Sequence, residues 1–217
     1  MSTSASPRGA VQRRPPARRR DAVRNHHRIL DAAREVLGES GADASMEEIA
    51  ARAGVGVGTV YRRFASKDAL IDELLRLALD EILTAVDRAL ARTDGHGMEE
   101  LLRALGQSFA DHAHYASLLL QRPTEPATAR RMRAAIDELT ARAVAVGTVN
   151  PAITGGDVTA LIWAMRGLVE GVGEIAPDAW RRFLDIQLAG MQAAGPVSST
   201  APMSARQLSR LVPQRPS

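Results

Sequence analysis

Ser45 to Lys67 reads SMEEIAARAGVGVGTVYRRFASK, and the rest of the chain is read outward from it. Two short helical patterns flank a glycine turn. Ser45 is placed to N-cap the first, and Glu48, three residues on, to reach back and close a capping box. Ile49, Ala50 and Ala53 give that helix a small apolar face. Gly54 suits the left-handed residue that ends a helix. The second helix is expected from about Val57 to Phe64. Val60 and Phe64 stand at i and i+4, so they share one face and can anchor the helix to a core. Tyr61, Arg62 and Ala65 lie on the other side, with Gly58 one turn earlier. Ser66 then caps a further helix, with Lys67 in its first turn.

A helix, a tight turn with Gly and a short second helix with a basic outer face form the helix-turn-helix pattern, whose second helix fits a DNA major groove. An ordinary surface pair of helices has the same spacing, so spacing alone leaves the two readings level.

The run Gly54-Val55-Gly56-Val57-Gly58-Thr59-Val60-Tyr61-Arg62-Arg63-Phe64, followed by Ser66-Lys67-Asp68-Ala69-Leu70, resembles the DNA-binding domain of the TetR family of bacterial transcriptional regulators. Upstream, Arg28-Ile29-Leu30-Asp31-Ala32-Ala33 is similar to that family's first helix. The resemblance covers roughly residues 25 to 75. It departs at Gly56, where many members carry a polar residue, often Ser. Gly is an acceptable N-cap, but one possible phosphate-contacting hydroxyl is gone. The resemblance implies that Tyr61 and Lys67 hold phosphates while Val57, Gly58 and Arg62 face base edges. Ser45, Thr59 and Arg63 complete the expected DNA-binding set. Thr59 either touches DNA or caps the helix, and Arg63, toward the flank, is expected on phosphate. The resemblance further implies a homodimeric repressor whose last two helices pair with their mates. The C-terminal half is most similar to the branch whose nitrogen-control member is gated by a protein partner. A small apolar or aromatic effector stays open beside it.

The chain has 217 residues, enough for one or two domains with a sizeable core. It contains no Cys, which excludes a disulfide framework and Cys-based zinc sites. No apolar run approaches the ~20 residues of a membrane span, and no apolar segment follows the charged N-terminus as in a secretory signal. A cytoplasmic protein with no membrane partner is expected. Aromatics make up only 3%, while Ala and Leu abound, which favours helix over sheet. The expected fold class is all-α.

Net charge is +3, unevenly spread. Residues 1–24 carry seven Arg and one Asp, residues 195–217 carry Arg206, Arg210 and Arg215 with no acid, and the body between is net acidic. Basic tails on an acidic body suit local contact with a polyanion. Residues 1–22, rich in Ser, Pro and Arg, cannot build a core and are expected to be a disordered arm. Arg13, Arg14, Arg18, Arg19 and Arg20 would add phosphate contacts or enter a minor groove; a merely solvated tail is the alternative.

Residues 23–68 are then the DNA-binding domain, with a first helix from near Arg24 to Glu39. Residues 69–194 form a C-terminal helical domain for dimerisation and effector response. Its fourth helix runs from Ser66 to about Thr93 and is long enough to bridge the two domains. Further helices are expected near 98–114, 115–121, 127–146, 157–175 and 178–193, the last with Pro177 in its first turn. Residues 195–217 are expected to be a disordered tail.

His112 and His114 stand two apart, so on a helix they face different ways. No HExxH or Cys/His set accompanies them, and no metal or other cofactor is expected. No nucleophile elbow or paired carboxylates stand out, so no catalytic residue and no enzymatic activity are assigned. Trp163, Arg166 and Glu170 share one face of the eighth helix. An ion pair at an interface is the plain reading; the other is a ligand-orienting charge in a cavity. Phe109, His112, Met132, Trp163 and Arg166 are the candidate effector-pocket residues.

The expected function is sequence-specific binding of double-stranded DNA by a homodimeric regulator, on a pseudo-palindromic operator, with release by an effector. Gating by a protein partner is the rival within this class. A helical enzyme or adaptor with an incidental basic motif is the rival from another.

Overall fold

The structure is a computed structural model that describes residues 17–115, 125–173, 175–204 and 207. Among them are eight α-helices, two single-turn 3-10 helices and no strand. The α-helices are α1 (Ala17–Ser40), α2 (Met46–Ala53), α3 (Val57–Arg63), α4 (Lys67–Ala91), α5 (Gly97–His112), α6 (Pro126–Val146), α7 (Gly155–Val172) and α8 (Ala179–Met191). No described helix is long and apolar enough to cross a membrane.

The apolar residues sort into two clusters. In the first, Ile29, Leu30 and Leu37 of α1 meet Ile49 of α2, Val60 of α3, Phe64, and Leu70 and Leu74 of α4. The second gathers Val86 of α4, Leu102 of α5, Leu139 of α6, Met165 of α7, and Trp180 and Leu184 of α8. α4 belongs to both. At 1.5 Å per residue its 25 residues span about 37 Å, and its first turns pack in one cluster while its last turns pack in the other.

A second link crosses between the clusters. Tyr115, in the 3-10 turn that follows α5, is only 3% exposed and packs in the first cluster. Its ring meets His112 edge-on, with centroids 5.6 Å apart. The second core is close-packed where α5 passes α8. A Cβ on Gly106 would stand 2.3 Å from the Trp180 ring, so glycine is what lets that indole approach the helix so closely.

Three expectations change. α1 begins at Ala17, so residues 17–22 of the stretch read as a disordered arm are helical. Arg is a good helix former, and no Pro or Gly interrupts the chain from Ala17 to Leu37. The 3-10 turn Ala113–Tyr115 stands where the helix expected at 115–121 would begin, and residues 116–124 of that expectation lie outside the described residues. Pro177 precedes α8 instead of opening it, with Asp178 at the N-cap. The tail from 195 is irregular through Ser204, and its start is fastened: Asn150 Nδ2 donates to the carbonyls of Ala193 at 2.7 Å and Gly195 at 2.8 Å.

Candidate nucleic-acid interface

α2 is fixed at both ends. The Ser45 amide donates to Glu48 Oε2 at 2.8 Å, and the Glu48 amide donates back to Ser45 Oγ at 3.2 Å. This capping box satisfies two amides the helix cannot satisfy itself. The Ser45 backbone N–H also holds the Glu48 carboxyl below the usual carboxylate range. At the other end Gly54 is left-handed, with φ 62°, and its N–H closes on the Ala50 and Ala51 carbonyls. A residue with a Cβ is strained there. Arg52 then ties α2 to α1 through Glu39 at 2.7 Å and Glu35 at 3.0 Å.

The turn aims α3 outward. Val60 is wholly buried and Phe64 is 6% exposed, so one face is locked into the first core. Gly58, Arg62 and Arg63 are exposed, and Val57 and Tyr61 are 39% and 47% exposed. An exposed valine and phenol beside the Arg62 guanidinium give this outer face apolar, donor and cationic character. Such a face can meet base edges and phosphates together. Arg62 is pre-positioned by a hydrogen bond from its Nη2 to Thr59 Oγ1 at 3.0 Å.

Arg63 is directed elsewhere. Its Nε donates to His26 Nδ1 on α1 at 3.0 Å. His26 stacks on Phe64 with centroids 5.6 Å apart, and its Nε2 lies 3.7 Å from Glu73 on α4. Burial first, and then the Arg63 guanidinium, push the imidazole below its ordinary value. A neutral ring is what leaves Nδ1 a lone pair for Arg63 to use. A helix-end histidine in water is the usual state, and the pattern of apolar positions gave no sign of this one. Its neighbourhood comes from α3 and α4, tens of residues away.

Lys67 is half-buried at the start of α4. Its Nζ donates to the carbonyls of Ala42 at 2.5 Å and Ala44 at 3.0 Å. An ammonium has three donors, so one remains for a phosphate. Ser45 is half-buried, and its hydroxyl is engaged with Glu48 at 2.9 Å. It sits in the capping box, apart from the outer face of α3.

The expected pocket residues are mostly brought together. Phe109, Met132, Trp163 and Arg166 line a cavity of about 240 Å³ between α4, α5, α6 and α7, with Ile82 and Ile162 among its apolar walls. Arg166 Nε donates to Glu170 at 2.7 Å, and its guanidinium lies 5.2 Å from the centre of the Trp163 ring. His112 does not join the lining. It is 9% exposed, its ring Nδ1 stands 2.6 Å from the Ser108 carbonyl one turn back, and it packs on Tyr115. Arg133 lines the cavity and was not anticipated. It stands one residue after Met132 in an Arg-rich helix, where nothing in the pattern marks it from Arg130 and Arg131.

A family model described as bacterial regulatory proteins, tetR family, matches residues 29–74. That span takes in the second half of α1, all of α2 and α3, and the first turns of α4. Residues 29–74 carry the DNA-binding domain of the TetR family. The Escherichia coli regulator UidR is 44% identical over 66 residues, which are 30% of each chain. The Mycolicibacterium smegmatis transcriptional activator FasR is 33% identical over 119 residues, 52% of this chain and 53% of that one. A solved TetR transcription regulatory protein from Mycobacterium vanbaalenii superposes with a TM-score of 0.53 at 28% identity, covering 81% of this chain and 99% of the other. The chain spans about half the length of the curated relatives it matches. The solved structure covers 81% of this chain, so the shared fold takes in both clusters.

Proposed function

We propose that this chain is a sequence-specific DNA-binding transcriptional regulator of the TetR family that acts in the cytoplasm as a homodimer on a pseudo-palindromic operator. One observation carries the reading. Val60 and Phe64 fix α3 in the core, so Val57, Gly58, Tyr61 and Arg62 stand together on a rigid outer face, within the span that matches the family. In this reading Val57, Gly58 and Arg62 read base edges, Tyr61, Arg63 and Lys67 hold phosphates, and Thr59 and Ser45 act by positioning. The Arg-rich residues ahead of α1 add phosphate contacts. The chain carries no catalytic role.

Residues 23–68, with the first turns of α4, form the DNA-binding unit, and the helices beyond form the regulatory unit. Dimerisation is through α7 and α8, where Ile186 is 55% exposed. Two copies related by a twofold axis then meet two half-sites, and operator symmetry follows protein symmetry. The cavity lined by Phe109, Met132, Trp163 and Arg166 is the effector site, and its occupation releases the operator. Gating by a protein partner is the rival, and it predicts that no small molecule alters DNA affinity.

Repression is the proposed sign. FasR is named an activator, so a promoter fusion decides it. Deletion of the regulator is expected to raise expression, and a fall would make the protein an activator. Gel shifts with genomic fragments, competed by unrelated DNA, test the binding itself. Sedimentation tests the dimer, and a stable monomer at micromolar concentration would count against it.

A further inference from the structure

We infer that the cavity between α4, α5, α6 and α7 takes a monoanionic, otherwise apolar molecule of about ten non-hydrogen atoms, with its anionic end on Arg133. The inference rests on the reading of this cavity as the effector site.

The size follows from the volume. An apolar cavity of about 150 Å³ holds benzene, so about 240 Å³ in proportion holds close to ten heavy atoms. The walls set the body of the ligand. Leu79, Ile82, Phe109, Met132, Ile136 and Ile162 are aliphatic or aromatic, and such a surface favours a hydrocarbon.

The charges set its head. Among the described residues, the charged ones of the lining are Arg133 and Arg166, both cations. Arg166 is satisfied twice, by Glu170 at 2.7 Å and by the Trp163 ring. Arg133 is half-buried in the lining and has no hydrogen bond or ion pair among the described residues. A planar donor fork at the edge of an apolar chamber suits a carboxylate, which it can meet with two parallel hydrogen bonds. An amine would face two cations. An alcohol of equal length would fill the same hydrocarbon space and leave the fork unmet.

The test uses the full chain without DNA and three probes of equal length: octanoate, octan-1-ol and octylamine. 3-Phenylpropanoate is a fourth probe, in case the chamber prefers a ring. Thermal shift and tryptophan fluorescence report binding. Trp163→Phe identifies the cavity's share of the fluorescence, because Trp180 also emits. One of the two carboxylates is expected to bind at least about tenfold tighter than octan-1-ol, the lower end for a charge-assisted hydrogen bond, and octylamine not at all. Arg133→Gln is expected to reduce that carboxylate to the affinity of the alcohol, while Arg133→Lys, which keeps the charge, restores part of the preference. Two outcomes overturn the inference: neither carboxylate binding up to its solubility limit, or a preference for carboxylate that survives Arg133→Gln in a variant with a normal melt. Gel shifts on the same preparation keep the two readings apart. Carboxylate binding by a protein that ignores DNA would sink the regulator and leave the chamber's ligand class standing.

Discussion

Lys67 holds Ala44. The ammonium at the start of α4 donates to the Ala44 carbonyl at 3.0 Å, and to that of Ala42 in the same connection between α1 and α2. A residue whose type and place resemble a phosphate anchor thus also fastens the loop that leads into the helix-turn-helix. The two duties are compatible, since the phosphate needs only the third donor. They make the residue's substitution informative in two independent ways.

Lys67→Met removes the bonds and the charge together. Its unfolding free energy should fall by about 1–2 kcal/mol, the scale of charge-assisted bonds that are partly open to water. The log–log salt slope of DNA binding should flatten by roughly 0.9, because one phosphate is no longer neutralised. Urea melts and a salt titration read these separately. An unchanged slope would confine Lys67 to its structural duty.

His26 links stability to pH. Its folded-state value is depressed, mainly by burial and then by Arg63, so the folded protein takes up this proton less readily than the unfolded chain. Stability from this group is full above the unfolded value of about 6.5 and is lost as pH falls from there toward the folded value. The melting temperature should therefore drop between pH 7.5 and 5.5. His26→Gln should show a shallower drop over the same range. Equal slopes in the two proteins would contradict a half-buried imidazole whose value is depressed and whose Nδ1 accepts from Arg63.

Phe64 and Arg62 separate folding from recognition. Phe64→Ala should cost about 3–5 kcal/mol of stability through poorer packing, because the ring is buried and His26 stacks on it. Arg62→Ala should melt normally. It should cost roughly 1–3 kcal/mol on the preferred operator and relax the choice at one base position. Equal losses on operator and scrambled DNA would move Arg62 to the phosphate set.

The residues ahead of α1 supply a fourth comparison. If Arg13 and Arg14 touch phosphates, removing residues 1–16 should weaken binding to all sequences. The salt slope should fall by about 0.9 for each phosphate those arginines had neutralised. Fluorescence anisotropy at several salt concentrations measures both. An unchanged slope would make this stretch a spectator.

Much of this architecture was legible in the chain, because local rules and tertiary demands agree there. Ser45 and Glu48 carry a capping box in their spacing alone, and Gly54 marks the left-handed stop. Val60 and Phe64 declare the inward face of α3 by lying one turn apart. The long pattern from Ser66 also announced α4 as a connector. What escaped is set by contacts between distant parts of the chain. The start of α1 was hidden by Arg-rich composition that reads equally as a tail. Tyr115 joins the first core from the end of α5, and no periodicity encodes that. His26 has its partners on α3 and α4. In the cavity, a stripe of apolar residues on four helices could be plain core or chamber wall, and only their packing shows that Met132 and Phe109 face space while His112 turns to Tyr115.

Footprinting of the DNA upstream of the protein's own gene tests the central claim most directly. Two protected half-sites related by a twofold axis are expected, with centres about one helical turn, 34–36 Å, or a small multiple of it apart, and with protection lost in Arg62→Ala at concentrations where the intact chain protects fully. Protection of every fragment alike, or of none, would contradict a sequence-reading α3.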